Sequence, residues 1–567
     1  MSSRRGSNEG PASEQDSILA SSALMATGTI FSRLSGFVRA FLLAAALGNL
    51  LQGDLFAIAN TVPTMLYILL AGGILNAILV PQLVRAAKTQ TDGGEAFTNR
   101  VVTLAALFLA GVTVVLVVAA PWVMNVFLDP TFDDPQLAAQ RASVIDFARY
   151  CLPQVFFYGM FVLVGQILNA RGQFGPMMWA PIANNLVSVA VLVAYLVVYG
   201  PAQGDERCSG FDPGQELLLG LGSTLGIVVQ FLILIPYLRA AGVRYRPRFD
   251  FRDSGLGHTL RLGIWTVLVV VVNQIAYTVV VRLASGGTAQ AATNACAVGA
   301  ATEGTGYSVY STAFLIVMVP HSIVTVSLAT AILPRLSGRA ADGDLSGLAN
   351  SLASTLRMAL ALIVPFALLI PVVASDVANA ISFGAARPTF ENYAPTLALF
   401  GPGILFFTVH YLMLRGFFAL ERTRTVFWVQ CVIAGVNVAV AVVLVEATDP
   451  RLTAPSLAVA YGTSYAVGSV LSYLLLRRAL GGLETRSLLG FLSRVLLAAL
   501  GATAAAYAVG RGLHAIVDEP SQLVAALWVM VVATAGGIVF LCFARVLRIP
   551  EANTIVGLAT RRMRVRG

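Results

Sequence analysis

Residues 101–128 read VVTLAALFLAGVTVVLVVAAPWVMNVFL, an unbroken run without a charged side chain. A helix needs roughly 20 apolar residues to cross the hydrocarbon of a bilayer, and only helices or closed barrels satisfy their backbone there. Barrel strands alternate over ~10-residue segments. This run is continuous, so it reads as a helix. Similar runs recur along the chain, and fourteen spans are predicted: about 21–47, 54–84, 101–128, 148–170, 178–200, 216–238, 260–283, 306–334, 356–375, 393–415, 425–446, 455–476, 488–510 and 521–544. The thirteenth is the weakest, because Arg494 interrupts its start. The expected fold is an all-α polytopic membrane protein.

The composition agrees. Of 567 residues, 57% are hydrophobic and 11% charged, whereas a soluble domain is about 25% charged. That excludes a cytosolic enzyme, a nucleic-acid binder and a disordered scaffold. Apolar residues spread along the whole chain also exclude a single-pass receptor. The net charge is +9, and Lys88 is the only lysine. An even number of spans puts both termini on one side. With the N-terminus inside, 28 of the 37 Lys and Arg fall in cytoplasmic segments, notably Arg239, Arg244, Arg246, Arg248 and Arg252. Seven fall outside: Arg141, Arg149, Arg207, Arg282, Arg387, Arg451 and Arg511. The positive-inside rule therefore gives an N-in, C-in orientation. No cleavable signal peptide is expected. Five cysteines show no metal-ligand spacing. Cys208 and Cys296 lie in external loops, as two free thiols or a disulfide, and Cys151, Cys431 and Cys542 read as packing residues.

Two short matches suggest an internal repeat. Ala77-Ile78-Leu79-Val80-Pro81 is echoed by Ala331-Ile332-Leu333-Pro334, and Asn169-Ala170-Arg171-Gly172 by Leu414-Arg415-Gly416. The offsets are 253 residues for the prolines and 244 for the Arg-Gly pairs. Six spans separate each pair, so the halves would be parallel repeats about an axis along the membrane normal. The expected organisation is a disordered N-terminus (1–16), an N-lobe of six helices (17–239) and a basic cytoplasmic linker (240–259). A six-helix C-lobe (260–480), two appended helices (481–546) and a basic tail (547–567) follow. The tail is expected to meet anionic lipid.

An arginine at the centre of a span costs at least ~2.5–3.5 kcal/mol and usually faces the bundle interior or a wet cavity. The first span carries two, Arg33 and Arg39. They lie ~9 Å apart along an ideal helix and about a third of a turn round it. Ser35-Gly36 between them allows a bend, which would turn both guanidiniums towards one cavity. The nearest acid is Asp54, a candidate partner for Arg39. Two cations without a fixed partner point to an anionic ligand, because the guanidinium fork matches phosphate in two-pronged fashion and keeps its charge in low dielectric. The alternative is that Asp54 takes one and helix carbonyls the other. Arg282, at the external end of the seventh span, is either a further cation at the cavity mouth or a snorkelling arginine. His321 and His410 read as packing histidines. Asn169, Asn184, Asn185, Gln230, Asn273, Gln274, Gln430 and Asn437 read as bonds between helices. Pro63, Pro153, Pro181, Pro320, Pro365 and Pro402, with Gly72-Gly73, offer kinks.

No Walker A sequence, HExxH or Ser/His/Asp set stands out. No enzyme activity and no cofactor or metal are expected. A cation-coupled antiporter usually buries a carboxylate, and no Asp or Glu lies deep in a predicted span.

Phe31-Ser32-Arg33-Leu34-Ser35-Gly36-Phe37-Val38-Arg39, Gly53-Asp54-Leu55-Phe56-Ala57, Pro63 and Asn76-Ala77-Ile78-Leu79-Val80-Pro81 together resemble the opening of the MurJ/MviN family. That family comprises lipid II flippases of the multidrug/oligosaccharidyl-lipid/polysaccharide exporter superfamily. Ile167-Leu168-Asn169-Ala170, Arg246-Pro247 and Arg415-Gly416-Phe417-Phe418-Ala419-Leu420 extend the resemblance over roughly residues 20–480. It implies a flippase for an undecaprenyl-diphosphate-linked peptidoglycan precursor, working by alternating access in the bacterial plasma membrane. It implies that Arg33 and Arg39 bind the diphosphate, that Asp54 matches a family acidic position, and that the appended helices hold the lipid tail. Ala40, Tyr67-Ile68, Gly72 and Leu315 stand where relatives carry charges. The expected partners are lipid II or a similar lipid, membrane lipids and cell-wall synthesis proteins, with the chain acting as a monomer and binding no nucleic acid. The alternatives are a flippase for another polyprenyl-linked oligosaccharide, a drug or cation antiporter of the same superfamily, a membrane transferase, or a scaffold.

Overall fold

A computed structural model describes residues 28, 31–69, 94–202, 209–250, 256–296 and 304–552. Gly72-Gly73, the Ala77–Pro81 motif, the Cys208–Cys296 pairing and both terminal segments lie outside the described residues or side chains. The helices are α1 (31–47), α2 (Leu51–Leu69), α3 (Glu95–Val118), α4 (Ala120–Phe127), α5 (Ala138–Cys151), α6 (Gln154–Ala170), α7 (Gly175–Val198), α8 (Pro213–Leu232) and α9 (Leu234–Ala240). Then come α10 (Leu256–Cys296), α11 (Tyr307–Pro320), α12 (Val326–Ala341), α13 (Leu345–Ile381), α14 (Tyr393–Ala419), α15 (Thr423–Ala447), α16 (Thr453–Leu480), α17 (Thr485–His514) and α18 (Gln522–Val546). No strand occurs among the described residues.

Twelve helical segments among the described residues are long and apolar enough to cross a membrane, and they coincide with predicted spans three to fourteen. Helices α1 and α2 are the described parts of the first two. The solvent is lipid, as α3 shows: it is apolar all round, yet Val114, Val115 and Val118 are 62–70% exposed. Such a helix on a protein surface is stable only against hydrocarbon. The chain is a multi-pass membrane protein.

Proline sets several of the breaks. Leu152-Pro153 separates α5 from α6. Pro320 is followed by a π-helical turn, His321–Thr325, that joins α11 to α12, the kind of local unwinding that marks helix kinks.

The two lobes share a helix end, but not at the expected register. At the end of α6, Gly172 takes a left-handed φ of 77° and the Gln173 amide donates to the Leu168 carbonyl. At the end of α14, Glu421 takes φ 55° and Arg422 donates to Phe417. Both are Schellman-type caps, 249 residues apart by these numbers. Arg415-Gly416 therefore sits inside α14, about one turn before its end, and is not the counterpart of Arg171-Gly172. The short sequence match misaligned the ends by five residues.

Hydrogen bonds between the lobes gather at the end of the bundle remote from the basic linker. Asn49 donates to the Thr389 carbonyl, and the Asp129 amide to the Ser285 hydroxyl. Gly384 packs under Ala45, its φ of 51° and the closeness of the Ala45 carbonyl leaving no room for a side chain. The appended pair α17–α18 is tied to α13 at both ends. Arg357 of α13 meets Glu484 at 3.0 Å and Glu551 at 3.3 Å. At the other end Asp376 meets His514 at 3.2 Å, and Asn379 donates to the Pro520 carbonyl.

Candidate functional site

Helix α1 is continuous through Ser35-Gly36, and these small residues make a seat for α7. Asn185 donates to the Ser32 carbonyl and lies 2.9 Å from the Ser35 hydroxyl, and Gly36 leaves room beside it. Ser32, Ser35 and Arg39 share a helical face, which turns Arg39 into the N-lobe.

There Arg39 lines a cavity of about 40 Å³ with Asn60, Gln154, Tyr158, Asn184 and Ser188. This is space for a few waters. Gln154 donates to Asn60 at 3.0 Å, which fixes the polar wall. No carboxylate is in this lining. Arg33 points elsewhere: it is exposed, and its charge reaches the buried His321 of the C-lobe. Arg33 is not part of the cavity lining that holds Arg39. Among the described residues neither forms an ion pair or a hydrogen bond.

The other two expected site residues are committed elsewhere. Asp54 does not pair with Arg39. It is fully buried, and its carboxylate accepts the Tyr307 amide at 3.0 Å, the Ser308 amide at 2.6 Å and the Thr288 hydroxyl at 2.7 Å. A carboxylate on the first free N–H groups of α11 meets the positive end of that helix, a favourable pairing. Asp54 is a latch between lobes. Arg282 donates to the Asn125 carbonyl at 2.9 Å, at the C-terminus of α4, where a cation meets the negative end of the helix. It joins the same seal rather than the cavity mouth.

Both histidines pack as expected, His321 against Thr408 at 2.9 Å and His410 against Ser472 at 2.8 Å. Gln274 bonds the Met65 carbonyl across the lobes, and Gln430 reaches Asn273. Of the polar wall around Arg39, only Asn184 was legible in the sequence; Asn60, Gln154 and Ser188 were missed, and Tyr158 carried no signal beyond being an aromatic in a span. Cys151, Cys431 and Cys542 are free thiols.

An apolar groove of about 300 Å³ lies between α13, α17 and α18, lined by Pro365, Leu369, Ala502, Gly536, Gly537 and Phe540. Small residues on three helices create it.

Residues 43–537 match the family model described as Lipid II flippase MurJ. The chain belongs to that family. Among curated MurJ relatives, the probable lipid II flippase MurJ of Rhizobium meliloti is 27% identical over 443 residues, covering 77% of this chain and 76% of the relative. The lipid II flippase MurJ of Burkholderia cenocepacia is 25% identical over 461 residues, covering 79% and 81%. Among solved structures, a lipid II flippase MurJ in an inward closed conformation superposes with a TM-score of 0.67 at 16% identity, covering 92% of this chain and 98% of that one. An inward-facing multidrug resistance transporter of the MATE family gives 0.61 at 14% identity, covering 80% and 96%. At these identities the two structures establish the MurJ and MATE-like fold.

Proposed function

We propose that this MurJ-family chain is a flippase that carries lipid II, the undecaprenyl-diphosphate-linked peptidoglycan precursor, from the inner to the outer leaflet by alternating access. The observation that supports this most directly is an intramembrane arginine, Arg39, in a polar cavity lined without a carboxylate. A cation held among neutral dipoles is a ready anion site, and its cost in the membrane is offset when a diphosphate arrives.

In this reading Arg33 and Arg39 receive the diphosphate from the cytoplasm, with N-in, C-in topology. Asp54 and Arg282 close the external side while loading occurs. The groove on α17–α18 holds the polyprenyl tail in contact with lipid. Rocking of the lobes then breaks the Asp54 and Arg282 contacts and exposes the headgroup outside. Uncatalysed passage of such a headgroup through ~30 Å of hydrocarbon is prohibitive. An inside-negative potential draws the emptied cationic cavity back, worth about 2.3 kcal/mol per charge per 100 mV for full crossing.

The antiporter alternative lacks its expected feature: among the described residues the buried carboxylate Asp54 is taken up by the lobe contact, Asp376 by His514, and Glu216 lies in the first turn of α8. No catalytic role is assigned, and the chain is read as a monomer that meets cell-wall synthesis proteins. The test is the external accessibility of labelled lipid II in cells depleted of this protein. Loss of external exposure is expected; unchanged exposure overturns the assignment.

A further inference from the structure

We propose that Arg415 is a third cation of the translocation path, contributed by the C-lobe, and that it binds an oxyanion of the cargo headgroup. This rests on the flippase reading and adds a binding residue to its site.

Arg415 lies on α14, on the face shared with Tyr411 and Phe407, one and two turns back respectively. Its guanidinium sits 4.4 Å from the centre of the Tyr411 ring and donates to the Tyr411 hydroxyl. Its Nε–H is buried and has no acceptor. No carboxylate pairs with it among the described residues. A neutral phenol and an aromatic face attract a cation but do not neutralise it, and an unsatisfied buried donor requires an explanation.

Direction supplies one. The near end of α14 is Ala419, four residues beyond Arg415, and a snorkelling arginine would reach towards it. This side chain turns the other way, back along the helix to Tyr411. The Tyr411 ring meets His321 at 5.1 Å, and His321 is the residue that the charge of Arg33 reaches from the opposite lobe. Arg415 is thus one aromatic ring away from that histidine on the C-lobe side. An anion that reached the Arg415 guanidinium would supply the counter-charge and the acceptor that it lacks. The stacked pose on Tyr411 is a resting position from which the fork swings to phosphate or carboxylate oxygens.

The test uses the full-length protein in lipid nanodiscs and two probes: a polyprenyl diphosphate without sugar, and lipid II with its peptide. Arg415→Gln is expected to weaken binding of at least one probe tenfold or more at unchanged melting temperature, and Arg415→Lys to recover most of it. Loss with both probes assigns the oxyanion to the diphosphate; loss with lipid II alone assigns it to a peptide carboxylate. Tyr411→Phe removes only the resting contact and is expected to bind within about twofold of wild type. Protection of Arg415 from phenylglyoxal by either probe, read by mass spectrometry on the wild-type protein, is expected as well and decides the matter should Arg415→Gln not fold. Wild-type affinity in Arg415→Gln, or equal losses in Tyr411→Phe, overturns the proposal while leaving an Arg39-dependent flippase standing. Absence of binding by the wild-type protein overturns both.

Discussion

Asp54 and Ser308 meet across the boundary between the lobes, the buried carboxylate of one accepting the backbone amide of the other at 2.6 Å. With the Tyr307 amide and the Thr288 hydroxyl, a single side chain takes up three donors from the opposite lobe. Hydrogen bonds to a charged group are worth about 1.5–3 kcal/mol each. This one residue is therefore a large part of what keeps that end shut.

Asp54→Asn is expected to open it. The amide nitrogen of Asn presents a donor to one of two backbone donors, so at least one amide loses its acceptor. Ala45→Cys, buried beneath Gly384, reports the change in a background without native cysteines. It should resist an impermeant thiol reagent in the parent and react several-fold faster beside Asp54→Asn. Equal rates would show that the latch does not hold the seal.

Gly306 makes that latch possible. A Cβ there would collide with the Asp54 carboxylate, and would lie 2.9 Å from Thr288 and 3.0 Å from the Ala284 carbonyl. Gly306→Ala should reproduce the Asp54→Asn labelling and lower the melting temperature, with a loss of about 1–3 kcal/mol as for other overpacked sites.

Charge reversal at the first helix tests the cavity. Arg33→Glu and Arg39→Glu should each abolish flipping while expression is retained, because a carboxylate repels the diphosphate. An antiporter with an apolar cavity would keep its activity.

The extended segment before α10 gives a pH-dependent prediction. The Arg246 and Arg248 amides donate to Asn99 and Thr103 of α3, and Arg100 clasps Asp250. The Arg100 guanidinium holds the Asp250 carboxyl below its ordinary range. A depressed carboxyl contributes its stabilisation above its unfolded pKa and loses it as pH falls through the folded value. Amide exchange over 243–250, corrected for its intrinsic pH dependence, should therefore stay protected from pH 8 to 5, whereas Arg100→Gln should lose part of that protection over the same range. The contact is exposed, so high salt should weaken it.

Filling the groove separates tail from headgroup. A Cβ at Gly537 meets nothing within 4 Å, and Gly537 lines the groove, so Gly537→Phe is the substitution that brings a ring to it. Flipping of lipid II should fall several-fold, while binding of a short-chain prenyl diphosphate should be unchanged.

The spans were legible because lipid demands long uncharged runs, and α3 could be read from composition alone. Arg33 and Arg39 stood out for the same reason, as charges where the medium forbids them. What sequence could not give was direction. Six residues along one helix fix an angle between Arg33 and Arg39, but only the docking of Asn185 on Ser32 and Ser35 decides which of them turns into the N-lobe. Asp54 was read as a counter-ion because its nearest cation in sequence is Arg39; its true partners lie more than 230 positions away. The Arg-Gly match failed because a helix stops where a left-handed residue is tolerated, and Glu421 took that place without being glycine.

Helices α17 and α18 are fastened to α13 at both ends, by Arg357 on one side and Asp376 on the other, so they travel with the C-lobe. Arg39 travels with the N-lobe. On the proposed reading, a cargo gripped by its diphosphate in one body and by its tail in the other becomes a strut between them. Its own length then sets how far the two halves swing before one grip must let go.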